Sequence, residues 1–269
     1  MRQCRPNYSR LGRKQFTMSF RLFKCDPVDL PVREISFKDL DNKAFWCKLG
    51  EEKEEAFVKY CKRTASKYKI QIHPEKETNP YHPDLLVKVN GIEQIGEVKI
   101  KNSPFFFAEK HGVNPQFALT MDLKDSFNYT RLLNEGTDLL IFIWVKWEAH
   151  VMVCGDDVYR VKPMQGIWVT NFSKLRALQT GSNPPEIHWY KADFRQSRSY
   201  KYGEEPEFAT KLADFDPRLS RPDGTVKGIS SNGYIRSGQI YYPSGQSSGS
   251  YVFNLKDNSV FTPAIYGGR

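Results

Sequence analysis

Between Leu85 and Ile100 the apolar positions fall two apart on either side of Asn90-Gly91. Leu85, Val87 and Val89 precede it, and Ile92, Val98 and Ile100 follow, with Gln94 and Gly96 as interruptions. Alternation with period two marks half-buried strands. Asn-Gly between two such runs is the strongest short hairpin signal, because both residues tolerate the positive φ of a type I′ turn. A two-residue loop pairs Val89 with Ile92, so that paired residue numbers sum to 181. Upstream, Glu54, Phe57, Val58 and Cys61 recur at i, i+3, i+4, i+7 and predict a helix after Gly50 with Glu54 on its apolar face. Glu51, Glu52 and Glu55 fall on other faces, where solvent takes them. Tyr68–His73 alternates as a strand. Gln116–Gly136 reads as a helix closed by glycine, and Thr137–Trp147 is a nearly continuous apolar run, as in a fully buried strand. Residues 149–155 predict one further strand, and residues 25–50 an irregular stretch holding at most one. The order from Gly50 to Trp147 is α, β, β, β, α, β.

The polar face of the hairpin raises the chemical question. The 181 register sets Asp84 opposite Glu97, and Lys99 and Lys101 follow Glu97 on the same face. Facing Cβ atoms lie about 5 Å apart. Two unit charges at that distance repel by roughly 3 kcal/mol at an effective dielectric near 20. Charges along one hairpin face are commonly just its solvated face. The sharper reading is a carboxylate pair that gathers a cation. A few oxygen ligands suit Mg²⁺, which keeps waters and accepts phosphate oxygens as its remaining ligands.

Charge and composition narrow the partner. The chain has 269 residues and a net charge of +9, which points to a polyanion, with nucleic acid foremost. Seven of the nine net positive charges come from Arg2, Arg5, Arg10, Arg13, Lys14, Arg21 and Lys24, a stretch without one acid. That segment fits a DNA-tracking arm, an Arg-rich transit peptide, or residues upstream of a natural start at Met18. No apolar run is long enough for a membrane span. Five cysteines in odd number, with no CxxC, exclude a disulfide framework and a zinc finger and imply a reducing, cytoplasmic setting. No Walker A loop and no Ser-His-Asp or Cys-His arrangement occurs. His73, His150 and His188 sit in strand-like segments and read as structural. His82 would face Lys99 by the register, with Pro83 disturbing the pairing.

Pro83-Asp84, twelve intervening residues and Glu97-Val98-Lys99, within an αβββαβ order, resemble the PD-(D/E)XK nuclease superfamily, the fold of many restriction endonucleases. The resemblance covers about residues 50–150. It implies an α/β (α+β) core with a mixed central sheet flanked by helices, and metal-dependent phosphodiester hydrolysis. By the match, Asp84, Glu97 and the Val98 carbonyl would ligate Mg²⁺, with Mn²⁺ as a substitute, and Glu54 would be an outer or additional ligand. Lys99 would orient or help deprotonate the attacking water and steady the phosphate charge. Lys101, Lys110, His111 and Lys124 are candidate contacts to DNA. The expected organisation is a basic arm at 1–30, a nuclease core at 31–195, and an irregular β-rich appendage rich in Gly, Ser and Tyr at 196–269 that embraces DNA, dimerises or packs on the core. The expected activity is site-specific cleavage of double-stranded DNA, most like a type II restriction enzyme, possible as a homodimer. A homing, phage or repair nuclease of the same fold is the nearest alternative, and a non-cleaving nucleic-acid-binding protein the next.

Overall fold

The computed structural model describes residues 20–25, 31–35, 43–64, 67–79, 82–154, 156–181, 187–191, 228–229, 234–236, 239–241, 245–248 and 250–266. Side chains of some of these, Lys124 among them, lie outside the description, as do residues 1–19 of the basic arm.

Strands β1 (Phe20–Cys25) and β2 (Pro31–Ile35) pair antiparallel ahead of helix α1 (Lys43–Arg63). Then come β3 (Lys69–Ile72), β4 (Leu85–Val89) and β5 (Ile92–Lys101). A short β6 (Ala118–Asp122) leads into α2 (Leu123–Asn134) and β7 (Leu140–Trp147). Strands β8 (His150–Cys154), β9 (Asp157–Val161) and β10 (Met164–Asn171) precede α3 (Phe172–Gly181). The remaining strands are β11 (Ile187–Lys191), β12 (Gly228–Ile229), β13 (Tyr234–Arg236), β14 (Gln239–Tyr241), β15 (Gly245–Ser248), β16 (Ser250–Asn254) and β17 (Thr262–Tyr266).

The fold is mixed α/β and rich in sheet. Six strands form the central sheet in the order β17-β10-β7-β5-β4-β3. Strands β5 and β7 run parallel, and every other neighbouring pair is antiparallel. The parallel pair needs a crossover, which β6 and α2 supply. Its inner strand β7 is buried on both faces, which is why its sequence is continuously apolar. Ile141, Ile143 and Val145 pack with Leu119, Phe172 and Leu175 on one side. Leu140 and Phe142 pack with Phe57, Val58 and Cys61 of α1 on the other. Full burial of each such side chain contributes about 1.5–3 kcal/mol.

The hairpin takes the expected register: Val89 pairs with Ile92, Lys88 with Glu93 and Leu85 with Gly96. Asn90 (φ 52°) and Gly91 (φ 87°) both take positive φ, as a type I′ turn requires. Gly96 has a packing reason of its own. A Cβ there would come within 2.8 Å of Val87 Cγ2 and 3.2 Å of the Leu140 carbonyl oxygen, so glycine lets β4, β5 and β7 close beside Glu97. One expected core position fails: Ile92 is 64% exposed, because the hairpin tip projects past the core.

Several boundaries move. Helix α1 begins at Lys43 and runs through Gly50, since one interior glycine costs a helix only about 1 kcal/mol relative to alanine. The expected helix from Gln116 is instead a 3₁₀ turn at Pro115–Phe117, then β6, then α2. Local pattern cannot show this, because the partner of β6 is β16, about 130 residues further on by sequence number. The glycine stop holds. Gly136 (φ 92°) donates to the Leu133 carbonyl and Thr137 to that of Leu132, the Schellman closure. Strand β2 is the one strand within the stretch read as irregular, while β1 lies at the end of the basic arm, and with β8 and β9 they form a separate sheet in the order β2-β1-β8-β9. Strands β16 and β17 fall within the expected appendage, yet β17 edges the central sheet and Tyr251, Phe253 and Phe261 are buried in its core.

Candidate active site

The site forms where β4 gives out and β5 continues. Asp84 directly precedes β4. Its carbonyl accepts from the His73 amide at 2.8 Å, and its own amide donates to Glu97 Oε2 at 3.2 Å. The Val98 amide donates to Asp84 Oδ2 at 3.2 Å. Each carboxylate thus reaches across to the backbone of the facing strand, as the 181 register demands. Both are buried, Asp84 at 7% and Glu97 at 8% exposure, which rules out a merely solvated face.

Each carboxylate has its own ammonium. Lys76, on the 3₁₀ turn Pro74–Glu77, donates to both Glu54 Oε2 and Asp84 Oδ1. Glu54 comes from the apolar side of α1, one turn before Phe57. Lys99 donates to Glu97 Oε1 at 2.9 Å and lies 2.7 Å from Asp125 Oδ2. Tyr129 Oη also donates to Glu97 Oε1, at 2.6 Å, and its ring carries the Lys99 ammonium 5.3 Å from its centroid. Asp125 and Tyr129 are i, i+4 on α2, so one helical face brings both to the lysine.

Four carboxylates (Glu54, Asp84, Glu97, Asp125) therefore share two ammonium groups (Lys76, Lys99). The imbalance shows in the titration. Burial, then the Glu54 charge, raise the Asp84 carboxyl above its ordinary 3.8, although Lys76 and Lys99 pull it back. Burial also raises Glu97 above its ordinary 4.5, with Asp84 and Asp125 adding to it against Lys99 and the Tyr129 hydrogen bond. For Lys99, burial favours the neutral amine, but Asp125 and Glu97 overcome it and hold the pKa well above the ordinary value. Lys99 is a fixed ammonium. Tyr129 is likewise held protonated, by burial first and then by Asp125 and Glu97.

The other expected residues are scattered. Lys101 is half-buried and donates to Thr120 Oγ1 at 2.8 Å. Burial lowers its pKa to about 8. Lys110 and His111 are exposed on a 3₁₀ helix, Phe106–His111. The backbone of Lys124 lies in the first turn of α2. Val98 enters the site through its N–H. His82 does not face Lys99. It turns to Glu75, with its ring 4.0 Å from that of His73. His150 is buried and kept neutral by burial. Of the tyrosines in the Gly/Ser-rich segment, Tyr251 is buried in the core rather than turned to a phosphate, and the side chains of Tyr234, Tyr241, Tyr242, Arg236 and His188 lie outside the described residues. Cys25 and Cys61 are buried and form no disulfide among the described residues, and burial pushes Cys61 up to about 12.

Lys101 yields a pH prediction. A lysine whose folded pKa lies below its ordinary 10.5 binds fewer protons folded than unfolded between about pH 8 and 10.5. Its contribution to stability is present above that window and lost as pH falls through 8. Lys101→Met is therefore expected to raise stability at pH 7 by about 1 kcal/mol after solvent screening. The gain should shrink between pH 8 and 10, as read from denaturant melts across that range.

Among the described residues no three acidic, histidine or cysteine side chains are already gathered as a metal cage, and no helix is long and apolar enough to cross a membrane. A scan of protein-family models and searches of the curated proteins and of the solved structures return no match.

Proposed function

We propose that this chain is a divalent-metal-dependent DNA endonuclease of the PD-(D/E)XK type, most like a type II restriction enzyme acting on double-stranded DNA. One observation carries the reading: Glu54, Asp84, Glu97 and Asp125 converge with two lysines at the notch between β4 and β5, two charges short of neutrality. The order of elements supports it. Apart from the inserted β6, α1, β3, β4, β5, α2 and β7 follow the αβββαβ order in a mixed sheet that the resemblance implies.

The residues fit a hard cation. The donors are carboxylate oxygens, and one position between Glu54 and Asp84 already holds a positive charge, the Lys76 ammonium. Glu54 and Asp84 would hold Mg²⁺ or Mn²⁺ there in exchange for Lys76, with Glu97 alongside. When bound, the metal supplies Lewis-acid stabilisation of phosphate charge and an acidified water. Lys99, held protonated in the metal-free site by Asp125 and Glu97, would meet charge developing on the phosphoryl oxygens. Glu97, Asp125 and Tyr129 fix its position. Supercoiled plasmid is expected to be nicked or linearised in Mg²⁺ and left intact in chelator. Equal conversion in chelator overturns the reading.

Asp84→Asn separates chemistry from folding. A carboxyl with a raised folded pKa binds more protons folded than unfolded, so its contribution is present below the ordinary 3.8 and lost as pH rises through the folded value. Removing the charge is expected to raise metal-free stability at pH 7 by about 0.5–2 kcal/mol while cleavage is lost. The gain should vanish near pH 3.5, where wild-type Asp84 is itself neutral, as read from thermal melts in chelator.

A further inference from the structure

A cleft of about 1010 Å³ opens at the carboxyl ends of the parallel strands β5 and β7, the end of an open sheet where ligands characteristically bind. Its walls carry Lys24, Lys53 and Lys146, with one acid, Glu148. The three lysines come from three elements: β1, α1 and β7. Glu148 meets Lys24 at 3.7 Å, and the Lys53 ammonium donates to the side-chain oxygen of Asn102, which is neutral. Three cations face one anion, so the cleft walls carry an excess of two positive charges. The ammonium groups feel one another: burial, then Lys146 and Lys24, lower the pKa of Lys53.

The cleft opens on the α1 face of the central sheet, whereas Glu97 and Lys99 project from the α2 face, and α1 itself links the two through Glu54. Lys53 precedes Glu54 on α1, and Asn102 follows Lys101 where β5 ends. Glu97 to Asn102 is five residues of extended chain, about 16 Å at ~3.3 Å per residue.

Resting on the nuclease reading, we propose that this cleft is a phosphate-binding track: Lys24, Lys53 and Lys146 grip the sugar-phosphate backbone of the DNA whose scissile bond lies at Asp84 and Glu97. The contacts are to phosphates and carry no sequence information, so they set register and affinity for every DNA equally. Excess positive charge selects this occupant over an acidic peptide, because regularly spaced phosphates match lysines spread along a channel.

The test is binding of a fluorescein-labelled DNA duplex by anisotropy in chelator, where no cleavage intervenes, at several salt concentrations. Lys53→Gln/Lys146→Gln is expected to bind about tenfold or more weakly and to reduce the salt slope by about 2, one per lost phosphate contact. Lys62→Gln/Lys69→Gln, the same charge change at the far end of α1 and on β3, should leave both quantities near wild type. Lys146→Glu alone, at an exposed position, should weaken binding in the same direction should the double variant fold poorly. Equal losses in cleft and control variants overturn the track and leave the nuclease standing. No binding by the wild-type protein overturns the nucleic-acid reading, and the track with it.

Discussion

Lys99→Met is expected to destabilise the metal-free protein by about 3–5 kcal/mol, the usual cost of stripping one partner from a buried ion pair. Its ammonium is the counter-charge for Glu97 at 2.9 Å and for Asp125 at 2.7 Å. Without it, the Glu97 and Asp125 carboxylates and the Tyr129 hydroxyl face one another in a largely buried site. Glu97→Gln/Lys99→Met removes one of those charges and keeps the shape, so most of the loss should return. The pair would then show strong non-additivity, as contacting residues do. Cleavage should be lost in both, because restoring stability does not restore the ammonium that meets the phosphate. Denaturant melts of the single and double variants read the first effect, and plasmid conversion at matched folded fraction reads the second. Additive stability changes would show that Lys99 and Glu97 do not depend on each other.

Lys76→Ala should behave differently, because metal can repair it. The substitution leaves Glu54 and Asp84 facing a position that has lost the Lys76 ammonium. In chelator the expected loss is again about 3–5 kcal/mol. In Mg²⁺ the position can be refilled, and a cation at a hundredfold its Kd contributes about 2.7 kcal/mol. The variant should therefore gain more from Mg²⁺ than the wild type, whose own lysine competes for the place. The measurement is the shift in melting temperature between chelator and Mg²⁺ for both proteins. Equal shifts would place the cation elsewhere than between Glu54 and Asp84.

The hairpin was legible in the sequence because its information is local. Asn90-Gly91 sets the turn, the turn sets the register, and the register sets Asp84 against Glu97. Glu54 was legible because helical periodicity places it with Phe57 and Val58. Asp125 and Tyr129 carried a weaker signal, their i, i+4 spacing, but it was hidden in a longer apparent helix that absorbed β6. Lys76 left no trace. It sits in a loop, and its role follows from the three-dimensional path of residues 73–84. The cleft lysines are likewise spread over β1, α1 and β7, and only the parallel pairing of β5 with β7 gathers them. The return of β16 and β17 to the core depends on partners far away in sequence, and composition rich in Gly, Ser and Tyr alone left packing on the core and embracing DNA equally open. Lys99 shows the reverse: position was readable, protonation was not, since that depends on Asp125 arriving from α2.

The most direct measurement is digestion of phage genomic DNA by wild-type protein and by Asp84→Asn, each in Mg²⁺ and in chelator, resolved on one gel. The expected result is discrete fragments in the wild-type Mg²⁺ lane and intact DNA in the other three. Intact DNA in all four lanes, or fragments that persist in chelator or with Asp84→Asn, would contradict a metal-dependent nuclease built on Asp84.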